Sequence, residues 1–251
     1  MATISSADPS TGAIVLTEPL ARKVTSVEES TAQGYGDLFA VEVAIMDRYI
    51  SFEPYDQEGL IGGHTIILHS PEIIQNIRGV EFRKFGQQGN LGRYPLHFHL
   101  SENVDGSLAY KNLVRDSNQR CYVTHGTHNV TWQENVAFDT FGHCFLLEDG
   151  GEWDNKFLYN LAAVTKQPET IIRPEESDRG TTTSFWMTTM TNHFIGNVAA
   201  GSANIGFWFE TMLREPSRSL AANQGITSTR SLPLGTFDDN VSDISGMSLL
   251  A

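Results

Sequence analysis

The chain lacks several features that would place it in large classes of protein. No apolar run approaches the roughly 18 residues of a membrane span, so no membrane span is expected in this chain. The first ten residues are polar, without a basic segment followed by an apolar one, so no signal peptide is expected there. Positive charge is scarce: 17 Lys and Arg stand against 30 Asp and Glu, and the net charge of −13 argues against unaided binding to nucleic acid or to an acidic glycan, although a divalent cation could reverse this locally.

Within this chain, a short motif recurs in which Asn is followed by small apolar residues and then by an alternating strand pattern. We take the first inward residue of each such strand as its reference residue. The reference residues are Ile66, Leu96, Tyr122, Phe145, Phe185 and Phe207. Apart from longer intervals before Leu96 and Phe185, they are 22 to 26 residues apart, a period typical of one solenoid coil. The sequence therefore predicts an all-β fold, a right-handed parallel β-helix.

The inward positions of these strands support the same fold. Two residues after each reference residue, five of the six positions are apolar. A β-sandwich is the alternative, because it also contains many short strands with turns between them. A sandwich needs no fixed offset between Asn and strand, whereas here the offset is 10 residues after Asn112, Asn135 and Asn197. The predicted core consists of Phe98, Tyr122, Phe145, Leu147, Phe185, Phe207 and Phe209.

The same pattern divides the chain. Residues 1–40 are rich in Ser and Thr and predict an extended leading segment or an incomplete coil, and residues 41–251 predict the β-helix. Loop insertions are expected near residues 166–180 and 214–233. The usual offset from Asn240 makes Leu250 a reference residue, so the last coil is expected to be incomplete and the chain to be part of a larger polypeptide.

The only two cysteines should be neighbours in space. Cys121 and Cys144 each precede a reference residue by one position, so they should lie on adjacent coils, roughly 4.8 Å apart at Cα. That distance permits a disulfide. A stacked pair of free thiols is the interpretation that we favour from the sequence.

A line of polar side chains is predicted on the outer face, three residues after each reference residue. It contains His69, His99, His125, Glu148, Thr188 and Glu210. His69, His99, His125 and Glu148 are candidate ligands of a divalent metal, because adjacent coils bring imidazoles within reach of one ion. The alternative is acid–base catalysis by His97, His99, His125, Glu148 and Glu210, with the two glutamates spaced as in an inverting glycosidase. A merely solvated polar column is the third possibility.

Two further groups suggest ligand binding. Trp186 and Trp208 follow their reference residues by one position, so adjacent coils would present an aromatic platform for a sugar ring. Alternatively, the loop near 166–180 or the leading segment covers them. Asp149, Glu152 and Asp154 form an acidic, Gly-containing turn that could bind Ca²⁺ through oxygen ligands, although a solvated turn is the simpler interpretation. No organic cofactor is expected.

The central run resembles a known family. The sequence Arg93-Tyr94-Pro95-Leu96-His97-Phe98-His99, with the glycine-rich stretch before it, resembles the β-helix segment of the cell migration-inducing hyaluronidase and transmembrane protein 2 family. Fibrocystin-like proteins share this core. The resemblance implies a parallel β-helix in an extracellular or cell-surface protein. For the hyaluronidase members it also implies calcium-linked binding and depolymerisation of hyaluronan.

Two functions follow as hypotheses. In the first, the chain cleaves a hyaluronan-like polysaccharide. Trp186 and Trp208 would hold the sugar, Arg93 would also bind the substrate, and the column of histidines and glutamates would move protons or hold a cation. In the second, the chain is a non-catalytic glycan- or protein-binding segment of a large cell-surface protein.

Overall fold

The computed structural model describes residues 2–21, 27–30, 36–39, 42–56, 58–172, 178–211, 228–243 and 245–250. The chain forms two compact units, Met1–Ile45 and Met46–Ala251. The first unit contains two antiparallel pairs, β1 (Ile4–Asp8) with β2 (Ala13–Leu16) and β3 (Val27–Ser30) with β4 (Gly36–Phe39). Residues 1–40, predicted as an extended segment or an incomplete coil, thus contain paired strands.

Parallel strands build the three sheets of the second unit. The first sheet contains β5 (Ile50–Phe52), β7 (Val80–Arg83), β10 (Leu113–Arg115), β13 (Val136–Phe141), β16 (Leu161–Lys166), β19 (Val198–Ser202) and β22 (Val241–Asp243). The second, which carries the candidate site, contains β8 (Leu96–Asn103), β11 (Tyr122–His128), β14 (Phe145–Leu147), β17 (Thr183–Met187), β20 (Ile205–Phe209) and β23 (Met247–Leu250). The third contains β6 (Asn76–Arg78), β9 (Leu108–Tyr110), β12 (Thr131–Gln133), β15 (Lys156–Leu158), β18 (His193–Ile195) and β21 (Thr236–Asp238).

Neighbouring strands in each sheet come from successive coils, and from β6 to β23 each coil of the described residues contributes one strand to each sheet, while β5 extends the first sheet by one more strand. This is a parallel β-helix, as the sequence predicts. A one-turn helix α1 (Asp178–Thr181) and a 3₁₀ helix (Thr229–Ser231) lie in the two predicted insertions. Residues 173–177 and 212–227, which make up much of those insertions, lie outside the described residues.

The predicted register is confirmed through the middle of the helix. Tyr122 pairs with Leu96 on one side and Phe145 on the other, and Phe145, Phe185 and Phe207 continue the row. The stacked rings of Tyr122, Phe145, Phe185 and Phe207 have centroids 4.7 Å apart at each step. All seven predicted core residues are buried. Like side chains stack because parallel, in-register coils place equivalent positions directly above one another.

The predicted register is wrong by one residue at both ends. Ile67 rather than Ile66 faces the core there, since Ile67 lies opposite Phe98. Ile66 and the next predicted core position, Leu68, are 37% and 57% exposed. At the other end Leu249, rather than Leu250, lies opposite Phe207. A one-residue slip moves every side chain of a strand to the opposite face, so the slip at Ile66 also moves His69 out of the predicted column.

The two cysteines form a disulfide, with a Cα separation of 4.6 Å between Cys121 and Cys144. The preference for free thiols is therefore wrong, whereas the predicted adjacency on neighbouring coils is confirmed. Both residues are buried beside the aromatic row. None of the helices in the described part of the chain has the length and apolar character that a bilayer crossing requires.

Candidate functional site

Three histidines converge on the outer face of the second sheet. His97 and His99 alternate on β8 with the inward residues Leu96 and Phe98, and His125 on β11 pairs directly with His99. The predicted adjacency of His99 and His125 is therefore confirmed. Parallel pairing brings residues 26 positions apart in sequence into contact, and it places both imidazoles on neighbouring strands of one sheet.

The imidazoles lie in direct contact. Nδ1 of His125 is 3.0 Å from Nδ1 of His99, and the two ring centroids are 4.7 Å apart. His97 stands 4.9 Å from the His99 ring and lies nearly parallel to the His125 ring at 6.0 Å. One nitrogen from each histidine lies within 4.8 Å of the other two, so these three residues can hold a metal ion.

His97 is fully buried although it lies on the outer face of the sheet. The Tyr94 ring covers it with a centroid separation of 4.9 Å. Its Nδ1 lies 3.4 Å from the Gly92 carbonyl oxygen, to which it can donate a hydrogen bond. Nε2 is also buried, and no group of the described residues hydrogen-bonds to it. Only His99 and His125 therefore reach the accessible surface of the cluster.

Three buried carboxylates lie behind the histidines. His125 Nε2 donates to Asp149 Oδ2 over 2.9 Å, and Glu148 Oε2 is 3.8 Å from His125 Nδ1. Glu152 accepts backbone N–H bonds from Gly126, Asp149 and Gly150 at 2.8 to 3.0 Å. Glu152 thus holds the turn that presents Asp149 to His125.

These surroundings shift the pKa values in opposite directions. Burial lowers the pKa of His97 well below its usual range, and the neighbouring imidazoles add to this effect. Burial also opposes protonation of His125, but the Glu148 charge and the Asp149 hydrogen bond outweigh it and raise the pKa of His125 to about 9. Burial raises the pKa of Glu152 to about 7, and the charge of Asp149 acts in the same direction. His125 is therefore a cation at neutral pH in the absence of metal, whereas His97 is neutral.

Directly after the two accessible histidines, both strands turn through left-handed backbone. Leu100 has φ of 50° and Gly126 has φ of 51°. A leucine in this region is uncommon and costs about 1–2 kcal/mol, so surrounding contacts must hold it there. The turn ends the regular pairing at His99 and His125, where the register shifts.

Two of the predicted column residues lie away from the cluster. His69 falls opposite Leu100 instead of His99, and its Nδ1 lies 3.1 Å from the Ser101 carbonyl oxygen and 4.0 Å from Glu102. Glu210 follows β20, two coils beyond Glu148, with Thr188 between them. Because Glu148 is only 2% exposed, the two glutamates do not present an accessible carboxylate pair.

The acidic turn at residues 148–154 does not provide a set of calcium ligands. Both oxygens of Glu152 accept backbone N–H bonds, and Asp149 accepts from His125. Asp154 lies toward the third sheet, where Oδ1 is 3.3 Å from His193 Nε2. Calcium requires several converging oxygens, and these carboxylates are already used by different partners. The predicted calcium site therefore does not fit these residues.

The tryptophans do not form an open platform. Trp186 is 1% exposed and belongs to a second apolar cluster with Tyr94, Val123 and Leu146. Ile172, from the loop that follows β16, packs against this cluster together with Trp208. Of the two possibilities, an open aromatic platform or tryptophans covered by the loop near 166–180, the structure supports the covering loop for Trp186. Trp186 is thus not available to stack on a sugar, while Trp208 is half-buried at the margin.

The loop is attached by a residue that the sequence analysis missed. Gln88 Oε1 accepts the backbone N–H groups of both Glu169 and Thr170 at 3.0 Å. Thr170 also approaches Gly89 so closely that a Cβ there would lie 2.8 Å from Thr170 Cγ2. The polar Gln87-Gln88-Gly89 stretch is the available sequence signal, but its partner lies about 80 residues away. Arg93 remains exposed near the cluster, with Nη1 2.7 Å from His64 Nε2.

The comparisons with known proteins identify the family. The family model described as CEMIP beta-helix matches residues 60–247, which include the whole histidine cluster. The chain belongs to the CEMIP β-helix family. Among its relatives, Cell surface hyaluronidase CEMIP2 of Homo sapiens is 32% identical over 77% of this chain. Cell surface hyaluronidase of Danio rerio is also 32% identical over 77%.

Other relatives of this chain carry different names. Protein rliB of Dictyostelium discoideum is 36% identical over 66% of this chain. The aligned region covers 16% of rliB, 16% of the human hyaluronidase and 15% of the zebrafish protein. The chain therefore spans about a sixth of the length of these relatives.

Proposed function

We propose that this chain is the polysaccharide-acting β-helix of an extracellular or cell-surface protein. It binds and depolymerises an acidic, hyaluronan-like glycan at the face formed by His99 and His125. The observation that carries the proposal is this pair of contacting imidazoles on the outer face of the sheet, with buried carboxylates beside one of them. Two relatives that are named cell surface hyaluronidases support the choice of substrate class.

The chemistry follows from the two accessible imidazoles. Cleavage of a polysaccharide requires a group that accepts a proton and a group that donates one. Two histidines in contact can supply both, and the buried Asp149 orients His125 by accepting a hydrogen bond from its Nε2. In the metal-free site, we therefore assign proton transfer to His99 and His125 instead of to a pair of glutamates.

The glycan must be attracted locally, because the net charge of −13 repels an acidic polymer at long range. Arg93 is exposed and directly follows Gly92, whose carbonyl oxygen is the neighbour of His97. A guanidinium can hold a carboxylate through two parallel hydrogen bonds. We assign Arg93 to binding an acidic group of the glycan at the edge of the cluster.

The test is incubation of the chain with size-defined hyaluronan, followed by measurement of polymer length. We expect shortening by the unmodified chain, loss of at least tenfold in rate with His99→Ala, and an unchanged rate with His69→Ala. His69 is the matched control because it is an exposed histidine that is not one of the three clustered ones. Equal rates for both variants would contradict the assignment.

A second function is a non-catalytic glycan- or protein-binding segment of a large cell-surface protein. It is favoured by the extent of the match, since this chain corresponds to only 16% of the human hyaluronidase. Binding of hyaluronan that disappears with Arg93→Ala, without any shortening of the polymer, would decide for this function.

A further inference from the structure

The three histidines also have the arrangement of a transition-metal centre. We infer that His97, His99 and His125 form a three-histidine site for a divalent metal of the zinc class, with its open position toward solvent. This ligand set differs from the predicted set of His69, His99, His125 and Glu148, because it includes His97 and contains neither His69 nor Glu148.

The nitrogen positions fit one ion. Two nitrogens bound to a tetrahedral zinc at about 2.1 Å are about 3.4 Å apart. The Nδ1 atoms of His99 and His125 are already 3.0 Å apart. One nitrogen of His97 lies within 4.8 Å of both partners, so small ring rotations complete the triangle.

The outer hydrogen bonds orient two of the three rings. Metal-binding histidines generally donate their second N–H to a carboxylate or a backbone carbonyl, which leaves the other nitrogen for the metal. His125 donates from Nε2 to Asp149, so Nδ1 faces His99. His97 donates from Nδ1 to the Gly92 carbonyl, and Nε2 is left buried without a partner among the described residues. A bound metal would satisfy that buried atom.

The charges and the ligand type favour the same class of metal. Imidazole nitrogens suit zinc and related transition metals, whereas calcium prefers oxygens. Glu148 and Asp149 lie beside His125 and provide the negative charge that a divalent cation requires. His99 is the partly exposed member of the set, so an additional ligand such as water can reach the ion from its side.

The experiment measures metal without glycan, so its outcome is independent of the proposed function. The chain is stripped with a chelator, incubated with Zn²⁺, dialysed and measured for bound metal. We expect one zinc per chain, at least tenfold weaker binding in His99→Ala and His125→Gln, and unchanged binding in His69→Ala. Circular dichroism shows whether each variant is folded.

A second measurement does not depend on the variants. Co²⁺ loaded into the unmodified chain should give the visible absorption of a four-coordinate site, and X-ray absorption should count three imidazole ligands. The competing arrangement is a hydrogen bond between His99 and His125 that shares a proton. Three results would overturn the inference: the unmodified chain does not retain zinc, X-ray absorption counts fewer than three imidazole ligands, or folded His99→Ala binds zinc as tightly as the unmodified chain.

Discussion

Asn135 donates a hydrogen bond from Nδ2 to Asn160 Oδ1 over 3.0 Å, one coil away and in the buried interior. The same Oδ1 accepts the backbone N–H of Asn135 at 2.9 Å. The pattern repeats between successive coils at Asn112, Asn135, Asn160, Asn197 and Asn240. This asparagine ladder satisfies backbone groups at the same bend of every coil, and it explains why the recurring Asn marks the repeat.

Removing one member of the asparagine ladder should be costly. Asn160→Ala leaves the N–H groups of Asn135 and the carbonyl of Trp132 without their buried partner. We expect the free energy of unfolding to fall by about 2–4 kcal/mol, because each unsatisfied buried group costs about 1–3 kcal/mol. Urea unfolding measures the change. Asn90→Ala, in an exposed turn, is the control and should change stability by less than about 0.5 kcal/mol.

The disulfide should contribute measurable stability. Cys121 and Cys144 close a loop of 23 residues, and constraining such a loop in the unfolded chain is worth about 3 kcal/mol. We therefore expect a reductant to lower the urea midpoint of the unmodified chain and to leave a Cys121→Ala/Cys144→Ala variant unchanged. Two free thiols found by mass spectrometry without reductant would contradict the bond.

Acid should weaken the fold through His128. Its ring is buried and stacks on Trp153 at 4.7 Å, and burial lowers its pKa from 6.5 to about 4 despite the charge of Asp154. The unfolded chain therefore takes up this proton first. The contribution of neutral, buried His128 to the free energy of unfolding is therefore fully present above pH 6.5. It is lost as pH falls toward 4, and the free energy of unfolding decreases by at most about 3 kcal/mol.

His128→Asn isolates this effect, because asparagine does not titrate and can still accept the Trp153 backbone N–H bond that His128 Nδ1 accepts. The difference in unfolding free energy between the unmodified chain and the variant should shrink between pH 7 and pH 4.5. The contribution of His97 is present in both proteins and cancels. A difference that stays constant with pH would show that His128 does not titrate as expected.

Gln88 should control access to the second apolar cluster. Gln88→Ala removes the acceptor for two loop N–H groups. We expect the free energy that holds the loop closed to fall by about 1–2 kcal/mol. Cleavage of residues 166–172 by a protease should then be about 5- to 30-fold faster, because it follows the population of the open loop. Tryptophan emission should shift to the red as Trp186 and Trp208 become hydrated. Gln87→Ala is the control, because its side chain bonds to Gly62 instead of to the loop. Equal effects of both variants would argue against the attachment.

The sequence predicts the strand register correctly where a coil has neighbouring coils on both sides. The offset from Asn135 to Phe145 holds because the asparagine ladder and the stacked rings fix the same coil geometry. At Ile66 and Leu250 the described residues include a neighbouring coil on one side only, and the register there departs from the repeat by one residue. The period alone therefore cannot fix the register of a strand at the edge of its sheet.

The candidate site was only partly predictable for a different reason. The pairing of His99 with His125 follows from the coil period, which the sequence displays. The burial of Trp186 depends on Ile172 in a loop, and the burial of His97 depends on the ring of Tyr94. Such contacts come from irregular segments, for which no periodicity indicates the partner.

The strand that carries His97 and His99 is held unequally on its two sides. On one side β8 pairs with β11 from Leu96 through Asn103. On the other it is the edge of its sheet, bonded to a short segment in which Ile67 donates to the His97 carbonyl and accepts from the His99 N–H at 2.8 Å. A brief release of Ile67 would loosen both histidines while the coils beneath stay folded. Amide exchange at His99 should therefore be faster than at His125, and the geometry of the site can adjust without unfolding the β-helix.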